Sequence, residues 1–328
     1  MNQMMNFFED DFDMLALQEE ASTRRYFKAK IKNASSDKYE NIFKEAFVVC
    51  KDTKINFEFI ELSEYLIQNN IPVPKIYGFD KHLSYIYQEY LGSLDIYSCS
   101  EESYLPYVYK SIDLLIQLQS LNPPKIVSER FFDFEKLNFE VQLTLSSLQK
   151  MQLNLDIEFF IPGEFEIFLE ETCKHLEKQE PRVFTHRDFH SRNIMIHDNK
   201  LYLIDFQDAR MGLPVYDLSS ILYDAYKPLS LSERKSLLEY YREKAHMPKK
   251  GFYDTYYLQA LQRSFKALGT YIIQINEKQN MKFLPSFYAC LDNLEEISQL
   301  GQLPDSVYLF VVDLRNKIQN VQKFQLTS

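Results

Sequence analysis

The stretch that most constrains the fold is a polar loop between apolar segments, within residues 183–208. Asp188 and Asn193 lie in the loop, and Asp205 follows the last apolar segment. Between Asn193 and Asp205, apolar residues alternate on both sides of the turn residues 198–200, which predicts a β-hairpin. A hairpin of this length brings its two ends together, so we expect Asn193 and Asp205 to face one site.

These three polar residues are of the types that phosphoryl transfer requires. Amide and carboxylate oxygens, as on Asn193 and Asp205, are hard ligands that suit Mg²⁺ carrying phosphates. Asp188 stands five residues before Asn193 and is placed to accept a proton from a hydroxyl nucleophile. Phosphoryl transfer needs positioning, charge neutralisation and such a base. The pattern therefore predicts Asp188 as the catalytic base, with Mg²⁺ held by Asn193 and Asp205.

Two motifs resemble the catalytic centre of known kinases. The His-Arg-Asp-x-x-x-x-Asn spacing of residues 186–193 resembles the protein-kinase catalytic loop, and Asp-Phe-Gln at 205–207 occupies the place of its metal-binding Asp-Phe-Gly. Residues 212–218, Gly-Leu-Pro-Val-Tyr-Asp-Leu, resemble aminoglycoside phosphotransferases and choline-kinase-like enzymes. By that likeness Asp217 buttresses the catalytic loop, with His186 also in support. An N-cap of the following helix is the alternative for Asp217.

Longer segments resemble one branch of this superfamily, the anomeric sugar kinases that act on N-acetylmuramate and N-acetylglucosamine in cell-wall recycling. The similar segments are residues 21–27, 186–193, 204–209, 216–226 and 261–269. The resemblance implies ATP as phosphate donor and Mg²⁺ as the metal. It also implies that the acceptor is the anomeric hydroxyl of an N-acetylated amino sugar.

The apolar pattern predicts an α+β fold with two lobes. Short aromatic and β-branched runs before residue 92 predict strands with one helix among them. Beyond that point, helical periodicity dominates apart from the hairpin. We therefore predict a bilobal, protein-kinase-like fold, with a small β-rich nucleotide-binding lobe over residues 1–92. A large, mainly helical lobe for catalysis and acceptor binding is predicted over residues 93–328.

A glycine-rich phosphate flap is absent, because the chain has 7 Gly and no G-x-G-x-x-G motif. We expect the turn at residues 21–25 to replace it, with hydroxyls, amides and arginines binding phosphate oxygens. The side chains expected there are those of Ser22, Thr23, Arg24 and Arg25. Two solvated arginines beside a turn are the alternative.

Other nucleotide contacts are expected from two neighbouring strands. Lys51 stands where kinases keep the lysine that pairs with the α and β phosphates. Its partner would be a glutamate of the next helix (Glu58, Glu61 or Glu64), and a surface lysine is the alternative. Where a kinase hinge would read adenine with backbone groups, the chain has Gln88, Glu89 and Leu91.

Polar residues near Asp188 are candidates for acceptor binding. Arg192 is expected to neutralise charge on the transferring phosphoryl group or to meet a substrate carboxylate, with an internal ion pair as the alternative. His190 lies in the same loop and within reach of the acceptor. Further candidates are Asp208, Glu140 and Arg263, of which Arg263 shares a helix face with Lys266. For these the alternatives are a local cap or a solvated helix face.

Charge and cysteine content exclude several other classes. With 47 acidic and 37 basic residues, the net charge of −10 disfavours duplex DNA as a partner but not a small anion. The four scattered cysteines form no C-x-x-C pair, which argues against disulfides and zinc. Residues 1–13 lack the order of a signal peptide, and no apolar run is long enough to cross a bilayer. We expect a cytoplasmic monomer or weak dimer with no membrane partner.

Two other functions remain open. One is a kinase for another small alcohol, such as an aminoglycoside, choline or homoserine. An aminoglycoside would require an acidic acceptor pocket, whereas muramate would require a cation there. The other is a catalytically silent nucleotide-binding regulator, which the missing glycine flap favours and the presence of Asp188, Asn193 and Asp205 disfavours.

Overall fold

The chain consists of two compact units. The computed structural model describes residues 11–17, 24–32, 39, 42–43 and 46–321. One unit comprises Met1–Asp95 and Asn193–Gln207, and the other Ile96–Arg192 and Asp208–Ser328. The predicted α+β class, with a β-rich N-terminal part and a mainly helical C-terminal part, is confirmed. The domain boundary at residue 92 stays a prediction.

Within the described residues, strands occur in both units and most of the helices lie in the second. The strands are β1 (Phe12–Ala16), β2 (Arg25–Ile31), β3 (Phe47–Lys51), β4 (Ile76–Asp80), β5 (Tyr85–Glu89), β6 (Val183–Thr185), β7 (Ile194–His197), β8 (Lys200–Leu203) and β9 (Arg210–Gly212). The helices are α1 (Phe57–Gln68), α2 (Glu101–Gln119), α3 (Lys125–Ser128), α4 (Phe134–Leu155), α5 (Gly163–Glu177), α6 (Val215–Leu222), α7 (Leu231–Lys244), α8 (Phe252–Ile272), α9 (Leu284–Leu300) and α10 (Asp305–Gln319).

The first unit is built on a five-stranded antiparallel sheet of order β1-β2-β3-β5-β4. Aromatic rings fill one core cluster, where Phe43 and Phe47 stack with centroids 3.8 Å apart and Phe12 packs edge-on against Phe47. Helix α1 begins at Asn56, whose side chain accepts the backbone N–H of Phe59. This sheet carries Arg25 and Lys51 at the ends of adjacent strands.

The predicted hairpin is confirmed in the same unit. Strands β7 and β8 pair with Ile194 opposite Leu203, and Ile204 N–H donates to the Asn193 carbonyl at 3.1 Å. At the tip, Asp198 and Asn199 both have positive φ, 48° and 59°, as a two-residue hairpin turn requires. The open end of the hairpin therefore holds Asn193 and Asp205 beside each other along the backbone.

The second unit packs helices around α8. This helix contacts α4, α6 and α9, and its buried residues include polar ones, Gln259, Gln262, Arg263 and Ser264. Buried polar side chains are usually hydrogen-bonded. Helix α8 therefore places polar and charged groups inside the second unit. The four cysteines of the chain are free thiols. Within the described residues no helix is both long and apolar enough to cross a membrane.

Helices α4 and α8 approach each other closely at Gly269. A Cβ on Gly269 would lie 3.0 Å from Thr144 Cα, and nearer still to the Thr144 hydroxyl. The position of that hydroxyl is fixed, because its hydrogen is shared between the carbonyls of Phe265 (3.0 Å) and Glu140 (3.2 Å). The crossing therefore has no room for a methyl group.

The variant Gly269→Ala is predicted to lower the free energy of unfolding by about 1–3 kcal/mol, because it overpacks this crossing. The matched control is Gly163→Ala, whose added methyl meets nothing within 4 Å at the start of α5. Urea titration of both variants measures the difference. Equal stability of the two would contradict the close approach of α4 and α8.

Candidate active site

The loop that carries Asp188 is held at its start by a buried carboxylate. The loop follows β6, and Asp217 lies in the first turn of α6. Asp217 accepts the backbone N–H groups of His186 (2.6 Å) and Arg187 (2.9 Å). Arg187 has φ of 82°, an unfavourable conformation for a side chain of this kind, and these bonds stabilise it. Asp217 thus contacts the loop itself, and the N-cap position of α6 is occupied by Pro214.

A second buried carboxylate, Asp224, holds the end of the same loop. It accepts the backbone N–H of Ser191 at 2.7 Å and that of Tyr226 at 2.8 Å. The sequence analysis did not identify this residue. A signal was present, since Tyr216-Asp217 recurs as Tyr223-Asp224 seven residues later.

Asp188 lies in a cluster of three cations. Its Oδ1 is 2.9 Å from Lys266 Nζ and 3.6 Å from Arg263, and its Oδ2 is 4.0 Å from Arg187. Burial by itself would raise the pKa of this carboxyl. The attraction of Lys266, Arg187 and Arg263 outweighs burial and holds the pKa well below 3.8. Asp188 is therefore ionised at any physiological pH and remains able to accept a proton or a hydrogen bond.

Arg187 connects this cluster to two other predicted site residues. Its guanidinium lies 3.1 Å from Asp208 and 3.4 Å from Glu140. Glu140 is 4% exposed and also pairs with Lys136 at 3.5 Å. Arg187, for which the sequence analysis had proposed no role, thus connects Glu140 and Asp208 to Asp188, whereas Arg263 contacts Asp188 directly.

His190 and Arg192 lie further along the loop, against aromatic rings. Burial lowers the pKa of His190 to about 3 although Asp188 raises it, and Arg263 and Lys266 lower it as well, so the imidazole is neutral. Its ring centroid is 5.3 Å from that of Tyr226. The Arg192 guanidinium packs over Tyr226 at 4.2 Å and over Tyr97 at 4.6 Å, which stabilises its cationic form.

The first unit holds the residues predicted to bind the metal. Asn193 is buried, whereas Asp205 is exposed and has φ of 63°. Asp205 Oδ1 accepts from the Gln207 side chain at 2.6 Å. Phe206 anchors the segment by stacking on Phe59 of α1, with centroids 4.8 Å apart.

This pair of residues fits Mg²⁺ by its chemistry. Both supply oxygen donors, and Mg²⁺ is commonly bound by one or two side chains, with water and phosphate oxygens in its remaining positions. Across the described residues, no group of three or more His, Cys, Asp or Glu is placed to hold a metal. A metal carried together with a phosphate ligand is therefore the kind that these residues suit.

The sheet of the first unit brings two of the predicted phosphate ligands together. Arg25 and Lys51 are direct partners in the pairing of β2 with β3, and like charges in that position are unfavourable without an anion between them. Arg24 instead pairs with Asp52, its Nε 3.0 Å from the carboxylate. Ser22 and Thr23 lie outside the described residues.

Lys51 and the predicted hinge residues have contacts within this unit. In the part of the chain that the structure describes, Lys51 Nζ contacts the Tyr85 hydroxyl at 3.3 Å rather than a glutamate of α1. Gln88 and Leu91 are buried. The backbone N–H of Glu89 donates to the Lys75 carbonyl at 2.8 Å, so that donor is already used.

A comparison with protein families decides which family this is. The model of the phosphotransferase enzyme family, abbreviated APH, matches residues 53–253, more than half of the chain. The chain belongs to this family. It is a small-molecule phosphotransferase acting on a hydroxyl acceptor, as the sequence predicted.

Individual relatives agree with this assignment. The N-acetylmuramate/N-acetylglucosamine kinase of Neisseria meningitidis serogroup B is 25% identical over 322 residues, covering 93% of this chain and 92% of that protein. The kinase of the same name from Pseudomonas aeruginosa is 24% identical over 267 residues, covering 75% and 76%. The solved structure of choline kinase from Cryptosporidium parvum has a TM-score of 0.57 at 14% identity, over 92% of this chain and 94% of that one. The predicted resemblance is confirmed.

The variant Lys266→Met is predicted to raise the pKa of Asp188, because it removes the strongest attraction that opposes burial. A depressed carboxyl pKa keeps the wild-type base ionised down to below pH 3.8, so kcat should lose no activity to this group between pH 4 and 8. In the variant, the fall of kcat at acidic pH should begin at a higher pH than in wild type. The control Lys150→Met removes a cation that pairs with Glu277. Superimposable profiles for wild type and Lys266→Met would contradict the role given to Lys266.

Proposed function

We propose that this phosphotransferase transfers the γ-phosphate of ATP to the anomeric hydroxyl of an N-acetylated amino sugar, N-acetylmuramate or N-acetylglucosamine. The two relatives described above carry those acceptors in their names, and one of them matches along most of its length. The observation that favours this acceptor class in the chain itself is the positive charge gathered around Asp188.

That pairing of carboxylates with cations discriminates among small alcohols. Aminoglycosides and choline are cations and need an acidic pocket. Asp188, Asp208 and Glu140 each already contact a lysine or an arginine, so their charge is compensated within the protein. A neutral or acidic sugar does not require an acidic pocket.

The chemistry of Asp188 suits an anomeric hydroxyl. The acceptor oxygen attacks the γ-phosphorus, its proton passes to Asp188, and the bond to the bridging oxygen breaks so that ADP leaves. A carboxylate with a depressed pKa is a weak base. It is matched to a hydroxyl more acidic than that of an ordinary alcohol, and the ring oxygen makes the anomeric hydroxyl such a group.

The remaining predicted residues complete the proposal. Mg²⁺ held by Asn193 and Asp205 would neutralise charge on the β and γ phosphates. Arg25 and Lys51, which are direct partners in the pairing of β2 with β3, would bind phosphate oxygens. Ser22, Thr23 and Arg24 stay in the proposal as further phosphate ligands. His190, as a neutral imidazole, would hydrogen-bond the acceptor, and Arg192 would add positive potential for the transferring phosphoryl group.

The test of this function is ADP release from Mg·ATP across a panel of acceptors. The panel contains N-acetylmuramate, N-acetylglucosamine, glucose, choline, homoserine and an aminoglycoside. We expect turnover with the two N-acetylated sugars, and a loss of about 10²- to 10⁴-fold in kcat for Asp188→Asn with Mg·ATP binding retained. Turnover with choline or the aminoglycoside alone would contradict the acceptor class, and silence across the panel with ATP still bound would favour the regulator.

The variant Asp205→Ala is predicted to weaken ATP binding in the presence of Mg²⁺ and to leave metal-free binding nearly unchanged. The reason is that Asp205 would contact the nucleotide only through the metal. Calorimetric titration with and without Mg²⁺ measures both affinities. Asp198→Ala, at the exposed tip of the same hairpin, is the matched control, and an equal loss of affinity with and without metal would contradict the assignment.

A further inference from the structure

A cavity of about 250 Å³ opens between α4 and α8, next to the catalytic loop. Helix α4 contributes Lys136, Phe139 and Glu140, and α8 contributes Lys266. The loop contributes Arg187. The closely packed crossing at Gly269 and Thr144 also lines the cavity, so it has a rigid base. Its volume is close to that of a single substituted sugar.

The cavity adjoins the catalytic carboxylate. Two of its lining residues, Lys266 and Arg187, are the same residues whose cationic groups lie 2.9 Å and 4.0 Å from Asp188. A small molecule bound in the cavity would therefore rest against the groups that surround the base. Both helices and the loop belong to the second unit.

The charge of the cavity lining is positive. Three cations and one carboxylate line it. Two of these cations are also paired with carboxylates outside the lining, Lys266 with Asp188 and Arg187 with Asp208. The single carboxylate is shared, since Glu140 Oε1 lies 3.5 Å from Lys136 and 3.4 Å from Arg187. One acidic oxygen thus serves two cations, and Lys136 is the more exposed of the pair, with 25% of its side chain accessible.

An exposed aromatic ring stands beside that lysine. Phe139 lines the cavity and is 60% exposed, although it lies on a helix whose other face is buried. Lys136 Nζ is 5.5 Å from the centre of the Phe139 ring. An apolar ring next to a cation is the arrangement that binds the face of a sugar together with an acidic substituent.

We propose that this cavity binds the acceptor sugar, with Phe139 against the sugar ring and Lys136 bound to a carboxylate that the sugar carries. The inference rests on the proposed function and adds to it a residue that selects for an acidic substituent. Lys136 would exchange its contact with Glu140 for one with the ligand, while Glu140 keeps its pair with Arg187. N-acetylmuramate has such a carboxylate, and N-acetylglucosamine is the same sugar without it.

The test compares kcat/KM for these two sugars in wild type and variants. For Lys136→Met, we expect the ratio of N-acetylmuramate to N-acetylglucosamine to fall about tenfold, which corresponds to about 1.4 kcal/mol. Lys136→Arg, which keeps the charge, should retain most of the wild-type ratio. The matched control is Lys150→Met on the same helix, which removes a lysine that also pairs with a glutamate but lies outside the cavity; it should leave the ratio unchanged.

Three outcomes would overturn the inference. They are an unchanged ratio in Lys136→Met, an equal fall in Lys150→Met, or a wild type that phosphorylates only the uncharged sugar. If Lys136→Met lowers the melting temperature, Lys136→Gln takes its place in the same comparison. Failure of the proposed function has a different signature, because the wild type would then phosphorylate neither sugar.

A second variant tests the aromatic part. Phe139→Leu should raise KM for both sugars and leave their ratio unchanged, because ring stacking does not depend on the acidic substituent. Phe160→Leu is the control, since Phe160 is similarly exposed (67%) and does not line the cavity. Unchanged KM values in Phe139→Leu, or an equal rise in Phe160→Leu, would contradict the placement of the sugar ring against Phe139.

Discussion

The ion cluster around Asp188 is the interaction on which the site depends. Lys266, Arg263 and Arg187 stabilise this partly buried carboxylate, and Glu140 and Asp208 in turn compensate the charge of Arg187. The loop must also hold Arg187 in a strained backbone conformation, and the hydrogen bonds to Asp217 stabilise it there. The same contacts therefore fix the backbone of the catalytic loop and keep the Asp188 carboxylate ionised.

Local charge and overall charge have opposite signs in this protein, and the difference has a functional meaning. The chain as a whole is acidic, with a net charge of −10, which keeps polyanions away. The helical unit nevertheless concentrates cations around Asp188 and along the α4–α8 cavity. In the first unit, Arg25 and Lys51 form a second cationic pair. Such local groups of cations suit small anionic ligands, which the acidic chain as a whole does not exclude.

Structure that depends on neighbouring residues was predictable from the sequence, whereas contacts between residues far apart in the chain were not. The hairpin was predictable because alternation and turn residues lie within a dozen positions of one another. Strands β1 and β4 were not predicted, because β1 follows an acidic segment and β4 contains Gly78, and neither feature is typical of a strand. Both segments are strands because they pair with their neighbours in the sheet. Lys266 and Asp188 are 78 residues apart in the chain. The sequence predicted that Arg263 and Lys266 share a face of one helix, but not that this face contacts Asp188. Asp224 could have been found from the repeated Tyr-Asp pair.

The central proposal is that the protein phosphorylates the anomeric hydroxyl of an amino sugar, with an ionised Asp188 as the base. Phosphorus NMR of the product from N-acetylglucosamine tests the position of the phosphate most directly. In an anomeric phosphate the phosphorus couples to the proton on the carbon that also bears the ring oxygen, and a proton–phosphorus correlation spectrum identifies that proton. We predict a correlation with the anomeric proton. A correlation with any other sugar proton, or no phosphorylated sugar at all, would contradict this proposal.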